Sequence, residues 1–124
     1  TPVGKHIGRQ LLRSGTSPAP NYAEARGAES PADFVHKLKI ALKELNETSV
    51  WLRMVSRADL MNTNRLAELV DENIQLCRIL NASIRTVKKK MKSEKKKKIM
   101  QFSRNFQHIQ KNLYNYKNIC TYFY

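Results

Sequence analysis

Apolar side chains recur at alternating steps of four and three along residues 30–57, which is the longest unbroken helical pattern in the chain. Ser30 offers a hydroxyl that caps free amides, Pro31 suits the first helical position, and Asp33 places a carboxylate near the positive end of the helix dipole. The pattern therefore predicts one long amphipathic helix from Ser30 to Arg57. Its apolar stripe, which includes one threonine, comprises Phe34, Leu38, Ala41, Leu45, Thr48, Leu52 and Val55.

A shorter helix is predicted over residues 5–14, because its apolar side chains fall on one side at helical spacing. Pro18 and Pro20 lack amide donors and disfavour helical conformation in the residues before them. We therefore expect the first helix to stop or bend sharply at these prolines. A short helical piece over residues 22–26, capped by Asn21, is expected to lead into the turn before the long helix.

A second long amphipathic pattern covers residues 65–90, after a polar connection that ends one helix and caps the next. Acidic residues early and basic residues late in this segment match the helix dipole. The predicted segments indicate an all-α fold, an antiparallel helical bundle within a single domain of residues 1–91. The positions expected on the buried side of the last helix are Leu66, Leu69, Val70, Leu76, Cys77, Leu80, Ile84 and Val87.

The net charge of +13 is concentrated at the end of the chain. Residues 1–87 hold 12 Lys/Arg and 9 Asp/Glu, whereas residues 88–124 hold 11 Lys/Arg and one Glu. Residues 92–124 are expected to form a basic, aromatic-containing and poorly ordered tail, because the lysine block has few apolar partners. Two interpretations of this tail stay open. It is either an electrostatic arm whose aromatic rings stack on bases, or a read-through, frame-shifted or lineage-specific end.

Two rows of basic residues lie on the predicted helices, away from the apolar stripes. Because their members are spaced at helical intervals, each row lines one face of its helix. Such rows are candidate contacts to the phosphate groups of RNA or DNA. The rows comprise Lys5, Arg9 and Arg13 in the first helix, and Lys39, Lys43, Arg53 and Arg57 in the long helix.

The residue patterns of known catalytic sites are missing. No glycine-rich phosphate loop is present, and the three histidines have no nucleophile or metal-ligand partner at a recognised spacing. Glu44 and Glu47 lie one turn apart, but the Glu-x-x-His pairs of a di-metal bundle site are absent. Pairing with Lys43, Arg53 or a neighbouring helix is therefore favoured over metal binding. We predict a protein that is not an enzyme and needs no cofactor.

The cysteine content and the hydropathy of the chain indicate where in the cell the protein is located. Cys77 and Cys120 are too few for a disulfide framework or a zinc site, and Cys77 falls on an apolar stripe that favours a buried thiol. No apolar run approaches the roughly 18 residues of a membrane span, and no signal-peptide pattern opens the chain. These features predict a cytoplasmic protein without membrane association. The lack of an initiator methionine indicates a fragment or a processed form.

Four blocks in order carry a resemblance to a known family. They are RQLLRSGTS at 9–17, NYAEA at 21–25, DFVHKL at 33–38 and LNETSVWL at 45–52. These blocks resemble the bacterial four-helix-bundle proteins found in intervening sequences of 23S ribosomal RNA genes. The same superfamily includes the accessory variability determinant of diversity-generating retroelements. The resemblance covers about residues 4–90.

The resemblance implies a four-helix subunit that assembles into a barrel-like pentamer with basic surfaces. It also implies nucleic acid as the partner, together with a reverse transcriptase in the retroelement case. Family members have a further amphipathic helix before the segment that matches residues 5–14, so the first helix of the bundle is expected to be missing from this chain. Arg9, Arg13 and Asn21 occupy family-like positions, and no catalytic role comes with them.

Two functions follow as expectations. The first is a non-enzymatic, homo-oligomeric helical module that binds RNA or DNA through its basic helix faces. The alternative is a homo-oligomeric scaffold that docks a protein partner, such as a reverse transcriptase, without touching nucleic acid. Apolar groups on more than one face of the long helix, including Trp51 and Met54, favour self-association in both cases.

Overall fold

The computed structural model describes the backbone of residues 1–122 and the side chains of residues 1–105 and 107. Within this part of the chain every secondary-structure element is a helix, which confirms the all-α prediction. Residues 1–88 and residues 89–124 each form a separate compact unit. The helices are α1 (Pro2–Thr16), α2 (Pro18–Arg26), α3 (Pro31–Arg57) and α4 (Thr63–Tyr122).

The long helix α3 begins and ends as its sequence predicts. The Oγ of Ser30 accepts a hydrogen bond of 3.1 Å from the backbone N–H of Asp33, which satisfies one of the free amides at the start of the helix. Phe34 is partly buried, and Val35, which widens the predicted stripe, is buried. The buried positions are Val35, Leu38, Ala41, Leu45, Thr48, Leu52 and Val55.

The prolines separate α1 from α2 at a single residue, Ser17, so the predicted break is confirmed. The helix α2 is longer than expected, because Pro18 occupies its first turn, where a missing amide costs no hydrogen bond. The expected capping role of Asn21 is wrong. Its Nδ2 lies within α2 and donates to the backbone carbonyl of Ser17 at 2.9 Å.

The predicted end of the last helix at residue 90 is also wrong, because α4 continues to Tyr122. Residues 91–122 contain no glycine or proline, and lysine and glutamine are good helix formers, so nothing local stops the helix. The poor order expected of residues 92–124 stays a prediction, and its last two residues lie outside the described part of the chain.

Two apolar clusters hold residues 1–88 together. The first half of α3 packs with α2 and with later residues of α4, whereas the second half packs with α1 and with early residues of α4. This pairing means that α3 and α4 run antiparallel. The first cluster comprises Ala25, Val35, Leu38, Ala41, Leu45, Leu80 and Ile84, and the second comprises Ile7, Leu52, Val55 and Leu66.

A buried polar layer on α3 lies between the two clusters. The hydroxyl oxygens of Ser14 and Thr48 are 3.0 Å apart, which joins α1 to α3. The Nδ2 of Asn73 donates to the carbonyl of Leu45 at 3.1 Å and to the Oγ of Ser49 at 2.7 Å, which joins α4 to α3. Every deeply buried side-chain nitrogen or oxygen among the described residues has a hydrogen-bond partner. The layer therefore fixes the register of α1 and α4 along α3.

Candidate nucleic-acid interface

Four basic residues of α3 share one exposed stripe, which we call the α3 row: Lys39, Lys43, Arg53 and Arg57. Asn46 and Val50 complete the stripe at steps of four and three, so no acidic residue stands among these positions on α3. The guanidinium of Arg53 is positioned by its own helix, because its Nε donates to the carbonyl of Ser49 at 3.3 Å. The row thus presents four cations along one side of a rigid helix.

The α3 row borders α4. Asn46 Oδ1 lies 3.9 Å from the sulfur of Cys77, and Arg53 lines a shallow cavity of about 330 Å³ together with Ile74. We call this side of α3 its α4 flank, and the side of α3 that packs against α1 its α1 flank. The cavity is lined by Ser49, Leu52, Arg53, Val70, Asn73 and Ile74.

The basic residues of α1 divide into two groups. Lys5 and Arg9 are exposed and line an open pocket at the start of the helix with Thr1, Pro2 and His6. Neither forms an ion pair within the part of the chain whose side chains are described. They are available to an external anion.

Arg13 differs from its two row partners because its guanidinium is already engaged. Its Nη1 lies 3.2 Å from Glu44 Oε2, and its Nη2 forms a second ion pair with Glu47 Oε1. Trp51 Nε1 donates to the same Glu47 oxygen at 3.1 Å. The hydrogen bond from Arg13, followed by that from Trp51, lowers the pKa of the Glu47 carboxyl. The expected pairing of the two glutamates with a neighbouring helix is present, and it compensates the charge of Arg13.

The two predicted rows do not form one surface. The Arg13–Glu47 pair and the ring contact between His6 and Trp51, with centroids 6.0 Å apart, place α1 over one flank of α3. Arg53 lies on the other flank, beside α4. Sequence periodicity assigns residues to faces of one helix but cannot say how faces of two helices are arranged, so this separation was not predicted.

An open apolar groove between α1 and α4 was missed, because Leu69 and Leu76 were expected on the buried side. They are 36% and 41% exposed, and this expectation is wrong. They line a cavity of about 460 Å³ that α1 borders with Gly8, Leu12 and Gly15. A Cβ atom added at either glycine would meet nothing within 4 Å. Both leucines stay partly exposed, and the two glycines contribute no side chain that could cover them.

Residues 5–82 match the family described as 23S rRNA-intervening sequence protein. The chain belongs to this family. It is similar to a solved structure of a protein of unknown function from the S23 ribosomal protein family of Bacteroides thetaiotaomicron. The two are 38% identical, with a TM-score of 0.62, over 63% of this chain and 72% of that chain. No curated protein shows significant similarity to the chain.

No group of three or more His, Cys, Asp or Glu side chains described here is placed to hold a metal ion. Cys77 is half-buried, and burial raises the pKa of its thiol. The side chains of His108 and Cys120 lie outside the described residues. No described helix has the length and apolar character that crossing a membrane requires.

Proposed function

We propose that this intervening-sequence family protein binds RNA or DNA through phosphate contacts made by exposed basic residues of α1 and α3. The observation that carries the proposal is the α3 row, whose four cations lie exposed on one stripe without an acidic residue on α3 among them. Lys5 and Arg9 add two exposed cations on α1. Arg13 is left out of the contact set, because Glu44 and Glu47 hold its guanidinium.

The row suits a polyanion in both charge and length. At a rise of about 1.5 Å per residue, Lys39 and Arg57 lie roughly 27 Å apart along α3. Cations fixed at intervals over this length meet several phosphates at once, and each contact releases condensed counterions. Such contacts fix a protein on the nucleic-acid backbone without selecting a base sequence.

The proposal predicts that binding becomes less salt-dependent when the row loses charge. In the double variant Arg53→Gln, Arg57→Gln, the slope of log affinity against log salt on duplex DNA should fall by about 1.8, at about 0.9 per contact. Binding should weaken almost uniformly across sequences, because phosphate contacts carry no base information. Fluorescence anisotropy at several salt concentrations measures both quantities.

The matched control is the double variant Arg26→Gln, Arg65→Gln. It removes the same amount of charge, but from α2 and from the side of α4 that borders the apolar groove. Arg57 and Arg26 each lie in the last turn of their helix, so these two substitutions are comparable in their dipole effects. Equal losses in the two double variants would show that the α3 row is not the interface and that net charge alone drives binding.

The apolar groove favours a second function, in which the chain is a homo-oligomeric scaffold for a protein such as a reverse transcriptase. Leu12 and Ile79 are 68% and 58% exposed on helices that border the groove. A patch of this kind is typical of a protein interface. We propose that subunits associate through it, with a pentamer as the state suggested by family resemblance.

Light scattering at micromolar concentration tests this association. The unmodified chain should exceed the mass of a monomer, and Ile79→Gln should shift the distribution towards smaller species. Ile99→Gln serves as the control, because Ile99 is 59% exposed but lies in residues 89–124. A clean monomer for the unmodified chain would exclude the scaffold as an oligomer.

A further inference from the structure

We infer that the nucleic-acid partner is a duplex, and that Arg78 and Arg85 of α4 contact its second strand beside the α3 row. This inference rests on the proposed function and adds to it both the kind of nucleic acid and two contact residues. The basis is the placement of α4 along the side of α3 that carries the row.

The α4 flank of α3 packs against α4. Asn73 donates to Ser49 at 2.7 Å, and Ile74 shares a cavity with Arg53. Arg78 follows Ile74 by one helical turn, and Arg85 follows two turns later, so both belong to the same stripe of α4. Both side chains are exposed.

The antiparallel packing then places these arginines beside the first half of the α3 row. Leu80 and Ile84 pack in the same cluster as Val35 and Leu38, so this part of α4 lies level with the N-terminal half of α3. Arg78 and Arg85 therefore lie alongside Lys43 and Lys39, across the border between the two helices. A basic face formed by two helices results.

Acidic residues lie mostly on other sides of these helices. Glu44 and Glu47 lie on the α1 flank, where Arg13 compensates them. Glu72 lines the apolar groove. Asp71 precedes Arg78 by seven residues on the same stripe, and its carboxylate accepts a hydrogen bond from Gln75 at 2.6 Å. At about 1.5 Å per residue, this acid is about 10 Å from the level of Arg78.

The spacing of the two basic rows favours two phosphate strands. The axes of packed helices lie about 8–10 Å apart, so basic side chains on the outer side of such a pair can face two phosphate strands, which are about 6 Å apart across the minor groove and about 12 Å apart across the major groove of B-DNA. Each row can then follow one strand at the edge of a groove. A single strand has one line of phosphates, so it can follow the α3 row without reaching Arg78 and Arg85.

The side chains between the rows also argue against unpaired bases. Proteins that bind single strands without sequence preference stack the bases on aromatic rings. Residues 63–88 contain no Phe, Tyr or Trp. On α3, Phe34 packs against the core and Trp51 lies on the α1 flank. Val50 and Ile74, each 40% exposed, are the large apolar groups near this border.

The test compares Arg78→Gln and Arg85→Gln with Arg65→Gln in the full chain. Arg65 lies on the same helix, but it precedes Leu69 by one turn and so belongs to the groove side. Probes are an RNA duplex and a DNA duplex of about 16 base pairs, the length that a double-stranded RNA-binding domain spans, and an unpaired strand of equal length. The lysine-rich end is the same in every variant, so its contribution cancels when the variants are compared with one another.

We expect each α4 variant to lower the salt slope on duplex DNA by about 0.9, whereas Arg65→Gln leaves it unchanged. Slopes on the single strand should not change. A lower salt slope with either the RNA duplex or the DNA duplex supports the inference and identifies which duplex is bound. Glutamine keeps a high helix propensity, and circular dichroism of each variant checks that the helix is intact.

Three results would contradict the inference, and they can be told apart. In the first result, the two α4 variants have the same salt slope as Arg65→Gln, whereas the α3 double variant still weakens binding. In that case α4 makes no contact and the proposed function stands. If duplex and single-strand slopes fall equally, the partner is not selected as a duplex. If the α3 double variant also has no effect, the proposed function fails together with the inference.

Discussion

Replacing Leu38 with alanine is expected to lower the free energy of unfolding by about 2–5 kcal/mol, the range for leucine in a packed core. Leu38 has no exposed surface and lies in a cluster built by α2, α3 and α4. Because three helices meet around this side chain, the cavity left by the substitution cannot close by a shift of one element alone. Chemical denaturation followed by circular dichroism measures the loss.

Leu12→Ala is the control, since Leu12 is 68% exposed at the edge of the groove. The same chemical change should there alter stability by no more than about 0.5 kcal/mol in a dilute sample. Equal losses at the two positions would mean that the groove is filled in solution, or that Leu38 is less completely packed than its burial indicates.

Deleting residues 92–124 is expected to reduce the low-salt affinity for any polyanion strongly while leaving the thermal transition nearly unchanged. The deletion removes eight Lys/Arg and one Glu. If every one of these cations meets a phosphate, the salt slope on duplex DNA falls by as much as about 7. The fold should be insensitive, because both apolar clusters lie within residues 1–88.

Calorimetry and salt titration of the shortened protein measure the two expected results. A companion variant with Lys95, Lys96, Lys97 and Lys98 replaced by glutamine separates charge from length, because it keeps all residues. A fall of several degrees in the melting temperature after the deletion would show that these residues pack and stabilise the protein. Unchanged affinity would show that the folded unit supplies all of the binding.

The features that sequence predicts well are those that local chemistry determines. The start of α3 follows from the hydroxyl of Ser30 and the proline after it, and its buried stripe follows from spacing alone. The break at Ser17 follows from Pro18 in the same way. Both depend on residues within one or two helical turns, so no tertiary information is needed.

The predictions from sequence that are wrong concern features that depend on neighbouring helices. Leu69 and Leu76 have the spacing of core residues, yet they are 36% and 41% exposed in the open groove between α1 and α4. Arg13 has the spacing of a free basic row, yet Glu44 and Glu47 of α3 lie within reach of it. Spacing on one helix cannot show what stands opposite, so burial and charge compensation are decided by packing.

The polar layer of Ser14, Thr48 and Asn73 has a consequence for how the protein tolerates sequence change. Substitutions in the cluster around Leu38 share no apolar partner with substitutions in the cluster around Leu52. Effects at distant sites without shared partners add independently. The effects of one substitution in each cluster on the free energy of unfolding are therefore expected to add, so the end of the bundle formed with α1 can change in sequence without compensating changes at the end formed with α2.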